Sequence, residues 1–133
     1  MSTYIVYVED DPESREIMAL LLAEDMGLKD FLILHDSQNF MTKIEQLPRQ
    51  PDLFLLDIHV TPHSGFEMLT MLRQHPTFAT SPVIALTASV MNDEVQHLKQ
   101  AGFNGVISKP VDLDTFPEKI QRILNGETIW NVF

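Results

Sequence analysis

The sequence predicts a doubly wound α/β fold, a five-stranded parallel sheet with five helices packed on its two faces. Short apolar segments alternate with amphipathic segments along the whole chain of 133 residues. The apolar segments are hydrophobic at nearly every position, which is typical of parallel strands covered by helices on both faces. Proline, glycine and asparagine lie between the segments, and this indicates the short connections of one compact domain.

The first half of the chain contains three predicted strands, at residues 4–8, 31–34 and 53–56. A helix lies between the first two strands. It begins with Asp11 as its N-cap and Pro12 at its first position, and it ends before Gly27. Either Asp36 or Ser37 is predicted to cap the second helix. The apolar face of that second helix consists of Phe40, Ile44 and Leu47.

The second half of the chain contains three predicted helices, at about residues 65–74, 92–101 and 116–124. Two further strands are predicted at residues 82–86 and 105–108. Pro76 closes the first of these helices, Gly102 ends the second, and Asn125 with Gly126 ends the third. The pattern of alternating strand and helix is therefore continuous from one end of the chain to the other.

The amount of apolar sequence is consistent with one folded unit. Hydrophobic residues make up 44% of the chain, which is enough for a sizeable core. A second folded domain would need at least about 50 further residues. We therefore expect a single domain over residues 1–133, with its core at about 3–125, a short apolar tail at 126–133 and no output domain.

Charge and cysteine content exclude several classes of function. The sequence has 19 acidic and 9 basic side chains and a formal net charge of −10, whereas binding to a nucleic-acid backbone needs a basic patch. Cysteine is absent, which excludes a disulfide framework, thiolate catalysis and cysteine-ligated zinc. No signal peptide and no apolar run of about 18 residues is present, so we expect a cytoplasmic protein without membrane contact.

Polar residues whose side chains could bind ligands or react follow four of the predicted strands. Glu9 and Asp10 follow the first strand, Asp57 the third, Thr87 the fourth and Lys109 the fifth. Ligands of open parallel sheets bind beyond the carboxyl ends of the strands, near the point where the strand order reverses. We therefore expect these five side chains to meet at one edge of the sheet.

The combination of these residue types predicts phosphoryl chemistry assisted by a metal ion. Carboxylates on adjacent strand ends repel one another unless a cation lies among them, and Mg²⁺ prefers oxygen ligands and often contacts phosphate. A carboxylate can also act as a nucleophile and form an aspartyl phosphate. In that reaction Lys109 and the Thr87 hydroxyl could contact phosphoryl oxygens, and the small Ala88 would leave access to them.

Four motifs resemble those of the receiver domain of two-component response regulators. They are VEDDP at 8–12, LLD at 55–57, LTA at 86–88 and SKP at 108–110, each following a predicted strand. The resemblance covers about residues 3 to 125. Each motif is weak alone, but their order and placement make the combined signal strong.

The resemblance implies a role for each matching residue. Asp57 would be the phosphoacceptor, and Lys109 would precede a cis peptide bond to Pro110. The implied ligands of Mg²⁺ or Mn²⁺ are Glu9, Asp10, Asp57 and the backbone carbonyl oxygen of His59. The residues implied to contact or respond to the phosphoryl group are Thr87, Ala88 and Lys109.

The resemblance also implies a topology, a partner and a function. The sheet would have the CheY-like, or flavodoxin-like, strand order 2-1-3-4-5. A histidine kinase or phosphotransfer protein would donate the phosphoryl group, and phosphorylation would alter binding to a downstream protein. The protein would act as a signalling switch that catalyses only its own phosphorylation and dephosphorylation, as a monomer or weak homodimer.

Two departures from the family pattern stand out. Proline often lies four residues after the phosphoacceptor in this family, whereas this chain has Thr61 there and Pro62 next. The position three residues before the lysine is usually Tyr or Phe, and its ring turns inward on activation. Here that position is Val106, which cannot make such a movement, so the switch uses another side chain or is weaker.

Three alternatives remain open on the sequence. One is a receiver-like interaction scaffold that works without phosphorylation, an idea that Val106 supports. Another is a phosphatase of the haloacid dehalogenase type, although Pro12 stands where that family usually has a second aspartate, two residues after Asp10. The last is a flavodoxin-like cofactor protein, in which the acidic residues after the first strand would repel phosphate.

The tail at 128–133 is apolar for the end of a chain and contains Trp130 and Phe133. The preferred interpretation is that Trp130 packs against the last helix. The alternative is a docking or dimer contact through the same apolar side chains.

Overall fold

The computed structural model describes residues 3–130 and contains five strands and five α-helices in alternating order. The strands are β1 (Tyr4–Val8), β2 (Asp30–Leu34), β3 (Leu53–Asp57), β4 (Val83–Thr87) and β5 (Gly105–Ser108). The helices are α1 (Pro12–Leu20), α2 (Phe40–Glu45), α3 (Gly65–Gln74), α4 (Asn92–Ala101) and α5 (Phe116–Leu124). A π-helical turn, Leu21–Asp25, continues α1.

All strands pair in parallel, in the order β2-β1-β3-β4-β5. The predicted fold class and strand order are thus confirmed. The order reverses between β1 and β3, which are neighbours in register, with Val8 opposite Leu56. The carboxyl ends of these two central strands therefore lie side by side, which is where a doubly wound sheet binds its ligands.

The sheet has a hydrophobic core on each face. Helices α1 and α5 cover one face, where Tyr7, Leu55 and Ile107 are buried with Met18 and Ile120. The other three helices cover the opposite face. Every residue of β1, β3 and β4 is buried, as their continuous apolar sequence predicts. Within residues 3–130, no helix has the length and apolar character needed to cross a membrane.

The observed N-cap matches the prediction from the sequence at α1 but not at α2. Asp11 caps α1, and its carboxylate accepts a hydrogen bond from the Ser14 backbone N–H at 3.0 Å. The predicted cap of α2 at Asp36 or Ser37 is wrong. The N-cap is Asn39, which has a left-handed backbone (φ 53°) and makes no side-chain cap hydrogen bond. Asp36 instead accepts from the Gln38 N–H, because a short acidic side chain can close a local turn as readily as a helix.

The segment after α5 returns to the edge of the sheet. Ile129 pairs in parallel with Gly105 of β5. The Val106 N–H donates to the Ile129 carbonyl at 2.8 Å, and the Ile129 N–H donates to the Asn104 carbonyl at 3.2 Å. The close approach requires glycine, because a Cβ atom at Gly105 would lie 2.6 Å from the Ile129 carbonyl oxygen.

The predicted packing of Trp130 against the last helix is wrong. Ile129 joins the core on the side of α1 and α5, whereas Trp130 packs on the opposite side of the sheet. There the Lys99 ammonium of α4 lies 5.5 Å from the centre of the indole ring. Successive residues of an extended segment point to opposite faces, so the pairing of Ile129 directs Trp130 toward α4. Phe133 lies outside the described residues.

Candidate functional site

The carboxyl ends of β1 and β3 bring three acidic side chains together. Glu9, Asp10 and Asp57 each place one carboxylate oxygen within 4.8 Å of the others. Glu9 and Asp57 are buried, whereas Asp10 is exposed. The cluster therefore forms a half-open acidic site at the edge of the sheet, as the positions of these residues in the sequence predict.

The donor atoms of the cluster fit a magnesium ion. All are carboxylate oxygens, which Mg²⁺ prefers, and an octahedral site with ligands at about 2.1 Å spans about 4.2 Å between opposite oxygens. The 4.8 Å limit of the cluster is close to that size. Asp10 is open to solvent, which suits an ion that keeps several of its water ligands. The cluster could hold Mg²⁺ or Mn²⁺ with small side-chain movements.

Asp57 is buried at the end of β3 and has two hydrogen-bond donors. Its Oδ1 accepts from the His59 backbone N–H at 3.1 Å, and its Oδ2 accepts from the Lys109 ammonium at 3.1 Å. Burial opposes ionisation, but hydrogen bonding to Glu9 and these two donors together hold the pKa of Asp57 below its ordinary value. Asp57 is therefore a carboxylate at neutral pH, as a nucleophile must be.

Glu9 is fully buried and its oxygens accept from three donors. The Lys109 ammonium lies 2.9 Å from Oε1, and the Tyr7 hydroxyl donates to the same oxygen at 3.1 Å. The Asp11 backbone N–H donates to Oε2 at 3.3 Å. Burial raises the pKa of Glu9 to about 7, with the nearby Asp57 carboxylate adding to the effect. The Lys109 ammonium acts in the opposite direction and favours the carboxylate form of Glu9.

Sequence reasoning missed Tyr7, although a signal was present. Side chains of a strand alternate between its faces, so Tyr7 and Glu9 point to the same side of the sheet. Tyr7 is only 2% exposed. Burial raises the pKa of its phenol, so the hydroxyl keeps its proton and remains a hydrogen-bond donor to Glu9.

Lys109 connects the end of β5 to the centre of the site. Its backbone N–H donates to the Thr87 carbonyl at 2.9 Å. Its ammonium contacts both Glu9 and Asp57. Burial favours the neutral amine, but the two carboxylates outweigh it and raise the pKa of Lys109. The Lys109–Pro110 peptide bond is cis, as the family resemblance implies.

The remaining predicted site residues line the same edge. Thr87 ends β4 and is buried, and its hydroxyl oxygen accepts from the Ser89 backbone N–H at 3.1 Å. Ala88 follows it and is exposed. His59 lies on the loop after β3 and contributes its N–H to Asp57. The predicted use of the His59 carbonyl as a metal ligand stays a prediction.

Ser37, which the sequence predicted only as a possible helix cap, supports the loop after β3. Its buried hydroxyl accepts from the His63 N–H at 2.6 Å and donates to the His63 carbonyl at 2.7 Å. In the same loop the Thr61–Pro62 bond is cis. Gly65 ends the loop where only glycine fits, because a Cβ atom would lie 3.0 Å from the Asp57 carbonyl oxygen. Ser37 therefore positions the loop that carries His59, instead of capping α2.

Val106 lies in the core beside the site. It is fully buried, in the same cluster that Trp130 contacts, and its backbone N–H donates to Ile129 in the returning tail. The position that usually carries a movable aromatic ring is thus a small aliphatic side chain hydrogen-bonded through its backbone to the tail.

The chain is similar in sequence to known proteins. An uncharacterised 14.6 kDa protein in the sodA1 3′ region of Leptolyngbya boryana is 34% identical over 109 residues, which are 81% of this chain and 79% of that protein. The polar-differentiation response regulator DivK of Brucella anthropi is 36% identical over 75 residues, which are 56% of this chain and 61% of DivK. The aligned part of the chain therefore spans less than two thirds of DivK.

The fold is shared with solved structures of response regulators. The chemotaxis response regulator CheY4 of Vibrio cholerae superposes with a TM-score of 0.82 at 21% sequence identity, over 92% of this chain and 99% of CheY4. The family model described as the response regulator receiver domain matches residues 5–121. Since this match covers most of the chain, the protein belongs to the response regulator receiver domain family.

Proposed function

We propose that the protein is a phosphoacceptor switch in which Asp57 receives a phosphoryl group from a histidine kinase or a phosphotransfer protein. The observation that carries the proposal is the position of Asp57, a buried carboxylate held by the Lys109 ammonium and adjacent to the acidic cluster. A nucleophile, a cation to neutralise phosphoryl oxygens and a metal site are the groups that such a transfer needs.

The transfer has a simple balance of bonds. An Asp57 carboxylate oxygen attacks the phosphorus atom and forms the new P–O bond, while the P–N bond to the donor histidine breaks. The imidazole nitrogen keeps the electron pair of that bond. Lys109 would then contact one phosphoryl oxygen, and the Thr87 hydroxyl would donate to another.

Glu9, Asp10, Asp57 and the His59 carbonyl would hold the metal ion, with Asp10 as the more direct ligand of the acidic pair. Bound there, Mg²⁺ would neutralise phosphoryl charge and align the oxygens. Glu9 is the fully buried member of the cluster, so its carboxylate would strengthen the site at short range without blocking access. Mn²⁺ has the same preference for carboxylate ligands.

The surface beside the site fits a protein donor. Ile17 and Leu20 of α1 and Leu113 of the β5–α5 loop are large apolar side chains that are 42%, 59% and 50% exposed. Ile17 and Leu113 line a cavity of about 140 Å³ whose other lining residues include Glu9 and Lys109. A partner that buries these side chains would bring its phosphohistidine to the edge of the site.

The proposed consequence of phosphorylation is a change in binding to a downstream protein, by a monomer or weak homodimer. The protein would turn over no substrate other than its own phosphoryl group. A cytoplasmic location is part of the proposal, and the absence of cysteine is compatible with it.

The test is the mass of the intact protein after incubation with acetyl phosphate, with and without Mg²⁺. We expect a Mg²⁺-dependent gain of one phosphoryl group in the wild type and in an Asp36→Asn control, and no gain in Asp57→Asn. Asp36 is a carboxylate that follows β2 and is outside the acidic cluster. A folded wild type that binds Mg²⁺ but gains no phosphoryl group would support the phosphorylation-independent scaffold, an alternative that Val106 favours.

A further inference from the structure

The hydroxyl of Tyr7 belongs to the acidic site, although Tyr7 lies inside β1. The ring is buried in the core between the sheet and the helices α1 and α5. Its hydroxyl reaches the fully buried Glu9 carboxylate at 3.1 Å. A valine or leucine would fill this strand position without adding any donor, so the phenol contributes a hydrogen bond in addition to its packing.

The oxygen that accepts from Tyr7 is the same oxygen that contacts Lys109. Lys109 lies 2.9 Å from Glu9 Oε1, and the other Glu9 oxygen accepts the longer bond from the Asp11 N–H at 3.3 Å. A buried carboxylate that lacks donors is strongly destabilised, because it is an unpaired charge removed from water. Glu9 therefore depends on Lys109 and Tyr7 together.

In the proposed function, phosphorylation of Asp57 would draw Lys109 away from this arrangement. Its ammonium also lies 3.1 Å from Asp57 Oδ2, so it would contact the phosphoryl group once that group occupies Asp57. Glu9 would then keep one side-chain donor, the Tyr7 hydroxyl. Without that hydroxyl, Lys109 could move only by leaving a buried carboxylate with a single backbone donor.

We propose that Tyr7 is a positioning residue that holds Glu9 through its hydroxyl and so allows Lys109 to move from Glu9 to the phosphoryl group on Asp57. This inference rests on the proposed function of Asp57 as phosphoacceptor. Tyr7 touches neither the phosphoryl group nor the metal ion, and it acts through Glu9 and Lys109.

The test compares Tyr7→Phe with the control Tyr4→Phe, which removes a hydroxyl from the other end of the same strand. Beryllofluoride, a stable mimic of the phosphoryl group, is the probe, and calorimetry measures its affinity in saturating Mg²⁺. We expect Tyr7→Phe to weaken beryllofluoride binding about tenfold, the usual effect of losing a hydrogen bond to a buried charge. Tyr4→Phe should bind as the wild type does.

A second measurement separates this role from metal binding and from packing. Mg²⁺ affinity without beryllofluoride should change less than about twofold in Tyr7→Phe, because Lys109 still contacts Glu9 in that state. In a Glu9→Gln background, adding Tyr7→Phe should have a much smaller further effect on beryllofluoride binding, because the loss of a donor destabilises a neutral amide less than a buried carboxylate.

Several results would overturn the inference. One is beryllofluoride binding by Tyr7→Phe that equals the wild type, and another is an equal loss of Mg²⁺ affinity. A full effect that persists in the Glu9→Gln background would also overturn it. In each case wild-type binding of beryllofluoride leaves the proposed function intact, whereas a wild type that does not bind it contradicts both proposals.

Discussion

The ammonium of Lys109 and the carboxylate of Asp57 lie 3.1 Å apart, although 52 positions separate the two residues in the sequence. Neither β3 nor β5 pairs with the other, since β4 lies between them. The long lysine side chain spans this gap along the carboxyl edge of the sheet. The contact joins the two residues on which the proposed transfer most depends.

Replacing Lys109 should slow phosphorylation strongly. Lys109→Met removes the cation that would neutralise a phosphoryl oxygen, and we expect a rate with acetyl phosphate about 10²-fold lower. Quantifying the phosphorylated fraction by intact mass over time gives this rate. Lys29→Met, which removes an exposed lysine, is the matched control and should react at the wild-type rate. A similar rate in both variants would show that Lys109 does not contribute to phosphoryl transfer.

Removing the Ser37 hydroxyl should destabilise the protein. Ser37→Ala leaves the His63 N–H and carbonyl without their buried partner, and we expect a loss of about 1–3 kcal/mol in the free energy of unfolding. Urea denaturation measures it, with the exposed Thr42→Ala on α2 as control. An unchanged midpoint of Ser37→Ala would show that the loop after β3 does not depend on this hydroxyl.

The returning tail should detach in Gly105→Ala. The added Cβ atom would lie 2.6 Å from the Ile129 carbonyl oxygen, and such overpacking costs about 1–3 kcal/mol. Trp130 is the only tryptophan in the sequence, so its fluorescence reports the contact with α4. We expect an emission shifted to longer wavelength in the variant.

A truncated chain supplies the control for that prediction. When residues 127–133 are deleted, Gly105→Ala should lose most of its effect on stability, because the remaining close contact is with the flexible end of Ile84. If Gly105→Ala lowers the free energy of unfolding equally with and without the tail, the steric conflict lies inside the sheet and not with Ile129.

The capping box of α3 predicts a pH dependence. The Ser64 N–H donates to the Glu67 carboxylate at 3.0 Å, and this hydrogen bond holds the pKa of Glu67 below its ordinary value of 4.5. The stabilisation is therefore present above pH 4.5 and is lost as the pH falls through the folded-state pKa.

Carbon-detected NMR titration of the Glu67 carboxyl tests the direction of this pKa shift. We expect a Glu67 pKa below its ordinary value of 4.5, because the Ser64 N–H stabilises the carboxylate form. Ser64→Pro, which removes the N–H and the hydroxyl, should raise the Glu67 value toward 4.5. A Glu67 pKa at or above its ordinary value in the wild type would contradict the capping arrangement.

The sequence by itself determined the fold class, the strand order through its family resemblance, and the positions of the main site residues. These depend on local patterns, because an apolar run makes a buried strand and the residue after it stands at the sheet edge. Asp57, Thr87 and Lys109 could be placed in this way.

Only the tertiary structure decided which donors serve Glu9, what Ser37 supports and where Trp130 lies. A hydroxyl has the same local signature whether it caps a helix, as Ser37 was predicted to do, or holds a loop 26 positions away. The hydrogen bond from Tyr7 depends on how deeply Glu9 is buried. The path of the tail depends on the absence of a side chain at Gly105. Burial and close backbone approach arise from the packing of distant segments, so no local pattern encodes them.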